Sequence, residues 1–257
     1  MGVKINKNRQ VVQSNKIIEA SYKLTLAEKR LILCSLAQIE SSAAMRDSYA
    51  VTAKEYADMF GLSLDGAYEW LQQTVDTLFK REIWLYGLGS RARLRWVSKV
   101  VYYDGQGRIE LQFTEDIKPY LSQLRERFTV YRLRAIADMQ SQYSIRIYEI
   151  LMQFSQAGQR QITVAELRRM LALEDSYSRF SNLRAWIIDP ATEEINAYSD
   201  LTVTYRVIKK GRTPWAVEFS FSKKKQAGIA HKRAREEMKE ENERKWKQRL
   251  RELGVED

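Results

Sequence analysis

"VTAKEYADMFGL" (residues 51–62) and "ITVAELRRMLAL" (residues 162–173) are one pattern written twice. Each begins with an apolar residue followed by a threonine, Thr52 and Thr163, and each places a glutamate three residues on, Glu55 and Glu166. In a capping box, the threonine side chain accepts from the backbone N–H of that glutamate, and the glutamate accepts from the threonine N–H. This starts a helix. Both segments then carry a methionine, Met59 and Met170, and end on Leu62 and Leu173. One such box arises easily by chance. Two at matching places in twelve-residue segments mark an internal repeat.

The surroundings repeat as well. An apolar helix precedes each segment, "TLAEKRLILCSLAQIE" and "QYSIRIYEILMQFSQ". A second helical pattern follows each. In the first copy it is "DGAYEWLQQTVDTLFKREIWLY", with Leu71, Val75, Leu78 and Phe79 at helical spacing. In the second it is "RFSNLRAWIIDPATEEI", with Leu183, Ile187, Ala191 and Ile195 every four residues. Two β-rich runs close each copy: "RLRWVSKVVYY" and "RIELQFT", then "LTVTYRVIKK" and "WAVEFSF", joined across Gly and Asp or Gly and Pro turns. A short capped helix, a turn and a longer helix make a helix-turn-helix; the hairpin adds a wing. The expected fold is therefore α+β, two tandem winged-helix domains. An N-terminal arm spans 1–14, the first domain 15–130 and the second 131–222, and a charged tail, a marginal helix or a disordered segment, spans 223–257. Pro190 interrupts the second reading-helix pattern. Either the helix kinks and continues, or Asp189 caps a fresh helix with proline at its first position.

Composition narrows the function. The 257 residues carry a formal net charge of +10, which favours a polyanionic partner. No run of about eighteen apolar residues suggests a transmembrane helix. The start, "MGVKINKNRQVVQSN", lacks a signal-peptide core, so a cytoplasmic protein with no membrane partner is expected. Cys34 is the only cysteine and His231 the only histidine. That excludes a Cys/His zinc site and a histidine-dependent triad. Carboxylates are plentiful, so a magnesium-dependent enzyme stays open, but no acidic cluster stands out at a strand end. No catalytic residue, metal or cofactor is expected.

In a helix-turn-helix the second helix enters the major groove by its N-terminal part, and the wing meets backbone or minor groove. In the second copy that helix is expected to start near Ser176. With Leu183 and Ile187 inward, Ser178, Asn182 and Ala185 point out, flanked by Arg179 and Arg184. Arginine can pair with guanine and asparagine with adenine; a solvated helix face has the same composition. The second wing carries Lys209, Lys210 and Arg212 at its tip, suited to phosphate contacts. The first copy differs. Its second helix carries Asp65, Glu69 and Asp76, which phosphates repel. Its hairpin approach carries Arg91, Arg93 and Arg95 at strand spacing, with Lys99 beyond them, so this domain suits backbone gripping. The aromatic and apolar set Trp96, Val97, Val100, Val101 and Tyr102 must be covered, either by the core or by a second subunit.

The assembled segments resemble the Rep-3 family of iteron-binding plasmid replication initiators over about residues 10–222. The resemblance rests on "VVQSNKIIEASYKLTLAEKRLIL", "YSIRIYEILMQF", "FSNLRAWIIDPATEEIN" and "KKGRTPWAVEFSF", in that order. It implies a bacterial, plasmid-associated protein whose monomers bind directly repeated double-stranded origin sites. It also implies a homodimer, formed through the first domain, that represses its own gene at an inverted repeat. Melting of an adjacent AT-rich region and recruitment of host initiator and helicase complete the expectation, without covalent chemistry. One departure concerns Arg184-Ala185-Trp186, where family members often carry a basic run. Ala185 or Trp186 would then meet a thymine methyl, or Trp186 would pack inward.

Two other classes stand beside this. A winged-helix transcriptional regulator would have a lone palindrome beside its gene, rather than direct repeats and an AT-rich tract. A rolling-circle nicking enzyme needs a His-apolar-His metal cluster near a tyrosine. Fourteen tyrosines are present, but His231 alone cannot supply the cluster.

Overall fold

The computed structural model of the chain describes residues 5–39, 45–103, 105–121, 128–174 and 176–224. From the N-terminus the elements are β1 (Gln10–Ser14), α1 (Asn15–Glu19), α2 (Leu26–Leu36), β2 (Tyr49–Thr52), α3 (Ala53–Phe60) and α4 (Ala67–Leu78). Then come β3 (Glu82–Gly87), β4 (Ser90–Arg95), β5 (Val97–Tyr103), β6 (Arg108–Phe113), β7 (Phe128–Arg132) and α5 (Gln142–Met152). The rest are β8 (Gln159–Thr163), α6 (Val164–Met170), α7 (Phe180–Leu183), α8 (Asp189–Tyr198), β9 (Leu201–Lys210) and β10 (Thr213–Lys223). Asp104 in the first hairpin turn and the expected tail beyond Lys224 lie outside the described residues.

Both capping boxes form. Thr52 Oγ1 accepts from the Glu55 N–H at 3.1 Å, and Glu55 Oε2 accepts from the Thr52 N–H at 3.2 Å. The corresponding distances for Thr163 and Glu166 are 3.1 and 3.0 Å. A third box, Thr25 with Glu28, starts α2 and lies outside the repeat. The boxes sit at equivalent places in two equivalent sheets. In each copy the strand that runs into the capped helix pairs with the last strand of the hairpin, which pairs with the first. The orders are β2-β6-β5 and β8-β10-β9, antiparallel throughout. The inward faces are apolar. Val51, Leu71, Val75, Ile109 and Leu111 are fully buried in the first unit, as are Leu167, Leu183, Ile195, Val217 and Phe219 in the second.

Several boundaries differ from the sequence reading. The helical pattern through "DGAYEWLQQTVDTLFKREIWLY" ends at Leu78. Glu82–Gly87 is strand β3, because Ile83 and Leu85 turn inward at a period of two while Trp84 and Tyr86 turn outward. It pairs with β4 in a separate two-stranded hairpin, closed where Gly89 takes φ +70°. The run "RLRWVSKVVYY" is therefore not one strand. It breaks at Trp96, so Arg91, Arg93 and Arg95 lie on β4 while Lys99 lies on β5 in another sheet. Within the stretch read as an arm, Gln10–Ser14 pairs with β7. The second reading helix starts at Phe180, not near Ser176, and Arg179 is its N-cap.

Pro190 does not end that helix. Ile188 and Asp189 both keep helical backbone angles, so Asp189 caps no new helix. The interval Arg184–Ile188 is a wide π-type turn, in which the Asp189 N–H donates to the Arg184 carbonyl five residues back. Proline removes one donor and its ring crowds the carbonyl four residues earlier, and a wide turn relieves that crowding.

Between the units lies a buried polar network centred on Glu149 of α5. Its Oε1 accepts from Gln13 Nε2 at 2.8 Å and Tyr131 OH at 2.6 Å, and Lys29 Nζ lies 2.8 Å from Oε1 and 2.9 Å from Oε2. Arg146 approaches to 3.6 Å and donates to Tyr22 OH and to the carbonyls of Ala20 and Met170. Burial alone would push the Glu149 carboxyl up; Lys29 and Arg146 reverse this and hold it below the ordinary carboxylate value. Arg160 of β8 also reaches Glu19 of α1 at 2.9 Å. The network thus ties β1, α2, β7 and α5 together and reaches α6 through Met170.

Candidate nucleic-acid interface

In the second unit α7 is pinned by buried Leu183, Ile187 and Ile188, and the intervening side chains face solvent. Ser178, Arg179, Asn182, Arg184, Ala185 and Trp186 are all exposed. Ser178 and Arg179 precede the first helical turn, so they approach a ligand from the loop side. Trp186 points outward rather than inward, at 46% exposure.

Arg184 is less free than its spacing suggests. Its Nε donates to Tyr205 OH on β9 at 3.1 Å and lies 3.3 Å from Asp189 Oδ2. Tyr205 in turn donates to Asp189. Burial, together with the adjacent Asp189 carboxylate, raises the Tyr205 phenol above its ordinary value. The cluster braces the wide turn against the wing. Sequence reasoning missed it because the partner lies five residues on, a spacing an ordinary α-helix does not bring together.

Lys209, Lys210 and Arg212 stand exposed at the β9–β10 turn, where Gly211 takes φ +60°. Lys210 Nζ lies over the Trp215 ring, 3.9 Å from its centroid, which orients one of these cations. Trp215 was not among the expected site residues.

The first unit offers a different surface. On the β3–β4 hairpin, Trp84 pairs with Arg93, Tyr86 with Arg91 and Glu82 with Arg95, so these six side chains share one face. Arg91 and Arg93 lie 5.3 and 5.5 Å from the Trp84 ring centroid. Arg93 also lies 3.5 Å from Glu82. Arg169 of α6 lies over Tyr86 at 4.8 Å, so this hairpin adjoins the helix-turn-helix of the second unit. The alternation in "EIWLYG" was the available signal for Trp84 and Tyr86. Lys99 is exposed on β5, apart from this face. On α4, Glu69 and Asp76 are exposed, as expected; Asp65 is exposed too, but lies in the turn before the helix rather than on it.

The interface candidates divide sharply. Trp96 is completely buried, edge-on to Tyr22 at 5.1 Å, and Val97 is buried beside it. Neither is available to a second subunit, because the chain's own core covers both. Val100 and Val101 are half-buried and Tyr102 is exposed on β5, an edge strand. Tyr102 donates to Asp76, and burial together with that carboxylate pushes its phenol up to about 12. Among the described residues no cluster of three or more His, Cys, Asp or Glu is placed to hold a metal, and no helix is long and apolar enough to cross a membrane.

This repeated architecture matches known proteins. The family description "Initiator Replication protein, WH1" fits residues 10–152, and "Initiator Rep protein, WH2" fits residues 163–221. The chain belongs to the Rep-3 family of initiator replication proteins. A replication initiation protein of Escherichia coli is 30% identical over 213 residues, covering 79% of this chain and 66% of that protein. A second E. coli relative, an uncharacterized 27.6 kDa protein, is 26% identical and matches 81% of this chain and 93% of its own length. The crystal structure of Pi initiator protein in complex with iteron DNA superimposes with a TM-score of 0.75 at 23% identity. It covers 86% of this chain and all of that one. The likeness extends the two-winged-helix fold of the Rep-3 family to this chain.

Proposed function

We propose that the chain initiates plasmid replication by binding directly repeated duplex sites at an origin. The observation that carries this is the exposed face Ser178–Trp186, held by Leu183 and Ile187 and flanked by the basic β9–β10 tip. Family membership and the iteron DNA bound to the Pi initiator neighbour support the same reading. In this reading Arg179 and Asn182 pair with base edges in the major groove, Ser178 and Ala185 line the contact, and Trp186 offers an apolar surface to a thymine methyl. Arg184 joins them only by leaving Tyr205 and Asp189. Lys209, Lys210 and Arg212 hold backbone, as do Arg91, Arg93 and Arg95; Lys99 is a separate backbone contact on β5. The division at 130/131 falls within β7, and α5 packs on α1 and β7 on one side and on α8 on the other. A second copy docks on the β5 edge at Val100, Val101 and Tyr102, and the dimer represses its own gene. Bound monomers melt the adjacent tract and recruit host initiator and helicase, in the cytoplasm and without catalysis.

Footprinting on the DNA flanking the gene tests this reading. Protection of direct repeats beside an AT-rich tract is expected; protection of a lone palindrome alone would assign a regulator instead. Two substitutions separate the contact types. Arg179→Ala should cost about 1–3 kcal/mol on the cognate repeat and relax preference at one position. Equal weakening on cognate and scrambled repeats would remove its base-reading role. Arg93→Ala should weaken binding on any sequence alike and lower the salt slope by roughly one, which a salt titration reads directly.

A further inference from the structure

The turn between α6 and α7 contains no glycine, yet three of its residues adopt the left-handed conformation: Ala172 at φ 50°, Glu174 at φ 44° and Tyr177 at φ 55°. Residues with a Cβ rarely adopt it, and they persist there only where surrounding contacts enforce it. The equivalent turn in the first unit solves the same geometry differently. Counted from the capping threonine of each copy, Gly61 falls at the position of Ala172 and Gly66 at that of Tyr177. Both glycines are left-handed, at φ 65° and 68°. The two turns therefore share two of their bends, those at Ala172 and Tyr177, and only the first turn has glycine there; the bend at Glu174 has no left-handed counterpart at Ser63.

What the second turn has instead is Arg168. Its Nη1 donates to the Tyr177 carbonyl at 2.6 Å, and its Nη2 donates to the carbonyls of Glu174 at 2.6 Å and Ser176 at 2.8 Å. Counted the same way, the first unit carries Ala57 at this place, buried and unable to donate from its side chain. A planar guanidinium suits such a cradle, since its donors diverge in fixed directions. A cation on the first helix of a helix-turn-helix would otherwise be read as a phosphate contact. Here the two terminal nitrogens of its fork are turned onto protein carbonyls.

We infer that Arg168 is a positioning residue for sequence recognition: it holds the carbonyls of Glu174, Ser176 and Tyr177 and so fixes where Ser178 and Arg179 meet the bases. This rests on the base-reading role proposed above. The clamp acts on geometry, so its loss blurs the distinction between cognate and other DNA while leaving general attraction to phosphate in place.

The test is a binding comparison on the full chain, cognate repeat against scrambled duplex, across a salt series. Arg168→Ala and Arg168→Lys should each lower the cognate-to-scrambled ratio at least tenfold, with scrambled affinity and salt slope unchanged. A lysine keeps the charge but cannot fork onto three carbonyls. Adding Glu174→Gly to Arg168→Ala should restore part of the ratio, because glycine takes the left-handed turn unaided; Glu174→Gly alone controls for the lost charge. If Arg168→Ala does not fold, Arg168→Lys decides. An unchanged ratio overturns the inference. So does parallel loss on both duplexes with a flatter salt slope and rescue by lysine, which would make Arg168 a phosphate contact. Arg179→Ala and Asn182→Ala run alongside. If those leave the ratio intact, the base-reading assignment itself has failed, whereas if they lower it and Arg168→Ala does not, only the clamp has.

Discussion

Glu149→Gln is expected to lower the unfolding free energy by about 3–5 kcal/mol at neutral pH, the cost of leaving a buried charge without its partner. The carboxylate is fully buried and its oxygens serve Lys29, Gln13 and Tyr131, with Arg146 close by. A neutral amide leaves two cations in the interior and turns an N–H toward groups that donate. The effect carries a pH signature. Because the folded carboxyl sits below its ordinary value, its contribution is fully present above the unfolded value of about 4.3. It is lost as pH falls through the folded value. The gap between wild type and variant should therefore close in acid. Urea denaturation at neutral and acid pH measures both features. A difference under about 1 kcal/mol at neutral pH would mean the network is relaxed by water or by movement of the units.

Trp96→Ala should also destabilise the chain by about 3–5 kcal/mol, the usual range for removing a large aromatic from a core. Trp96 is wholly buried and walls one side of Tyr22, whose hydroxyl accepts from Lys29 and Arg146. The cavity therefore opens beside the polar network, and the two losses should not be additive. Sedimentation separates this from a role in self-association. Tyr102→Ala, on the exposed β5 edge, should shift any monomer–dimer balance with little change in melting. Trp96→Ala should lower melting at every protein concentration. Intact stability with a lost dimer in Trp96→Ala would return that residue to the interface.

The repeat was legible because a capping box is local. Thr and Glu three apart satisfy each other's neighbours whatever surrounds them, so Thr52–Glu55 and Thr163–Glu166 announce their helices from the letters alone. The β3–β4 hairpin was hidden for the converse reason. Leu71, Val75 and Leu78 continue to Ile83 without a proline or glycine, and apolar spacing cannot mark where a helix yields to a strand when the next apolar residue suits both. Trp96 could not be assigned to core or interface, since an aromatic strand needs cover and sequence does not name the cover. The outward set from Ser178 to Trp186 followed from helical phase, whereas the orientation of Arg168 depends on carbonyls brought back by a turn, which no periodicity encodes.

The π-type turn at Arg184–Ile188 gives the second reading helix a property that a regular helix lacks. Each residue of an α-helix advances the side-chain direction by about 100°. A turn holding one extra residue thus offsets everything before it by one such step relative to everything after. Ala191 and Ile195 hold their places in the core on one side of the offset, and Asn182 and Arg179 face outward on the other. A one-residue deletion inside this turn would rotate the outward set about the helix axis, carrying the buried Leu183 with it, while Ala191 and Ile195 keep their places. Two chains with the same anchors after the turn, and an apolar residue shifted one place before it, would present different side chains to the same groove, a change of phase rather than of composition.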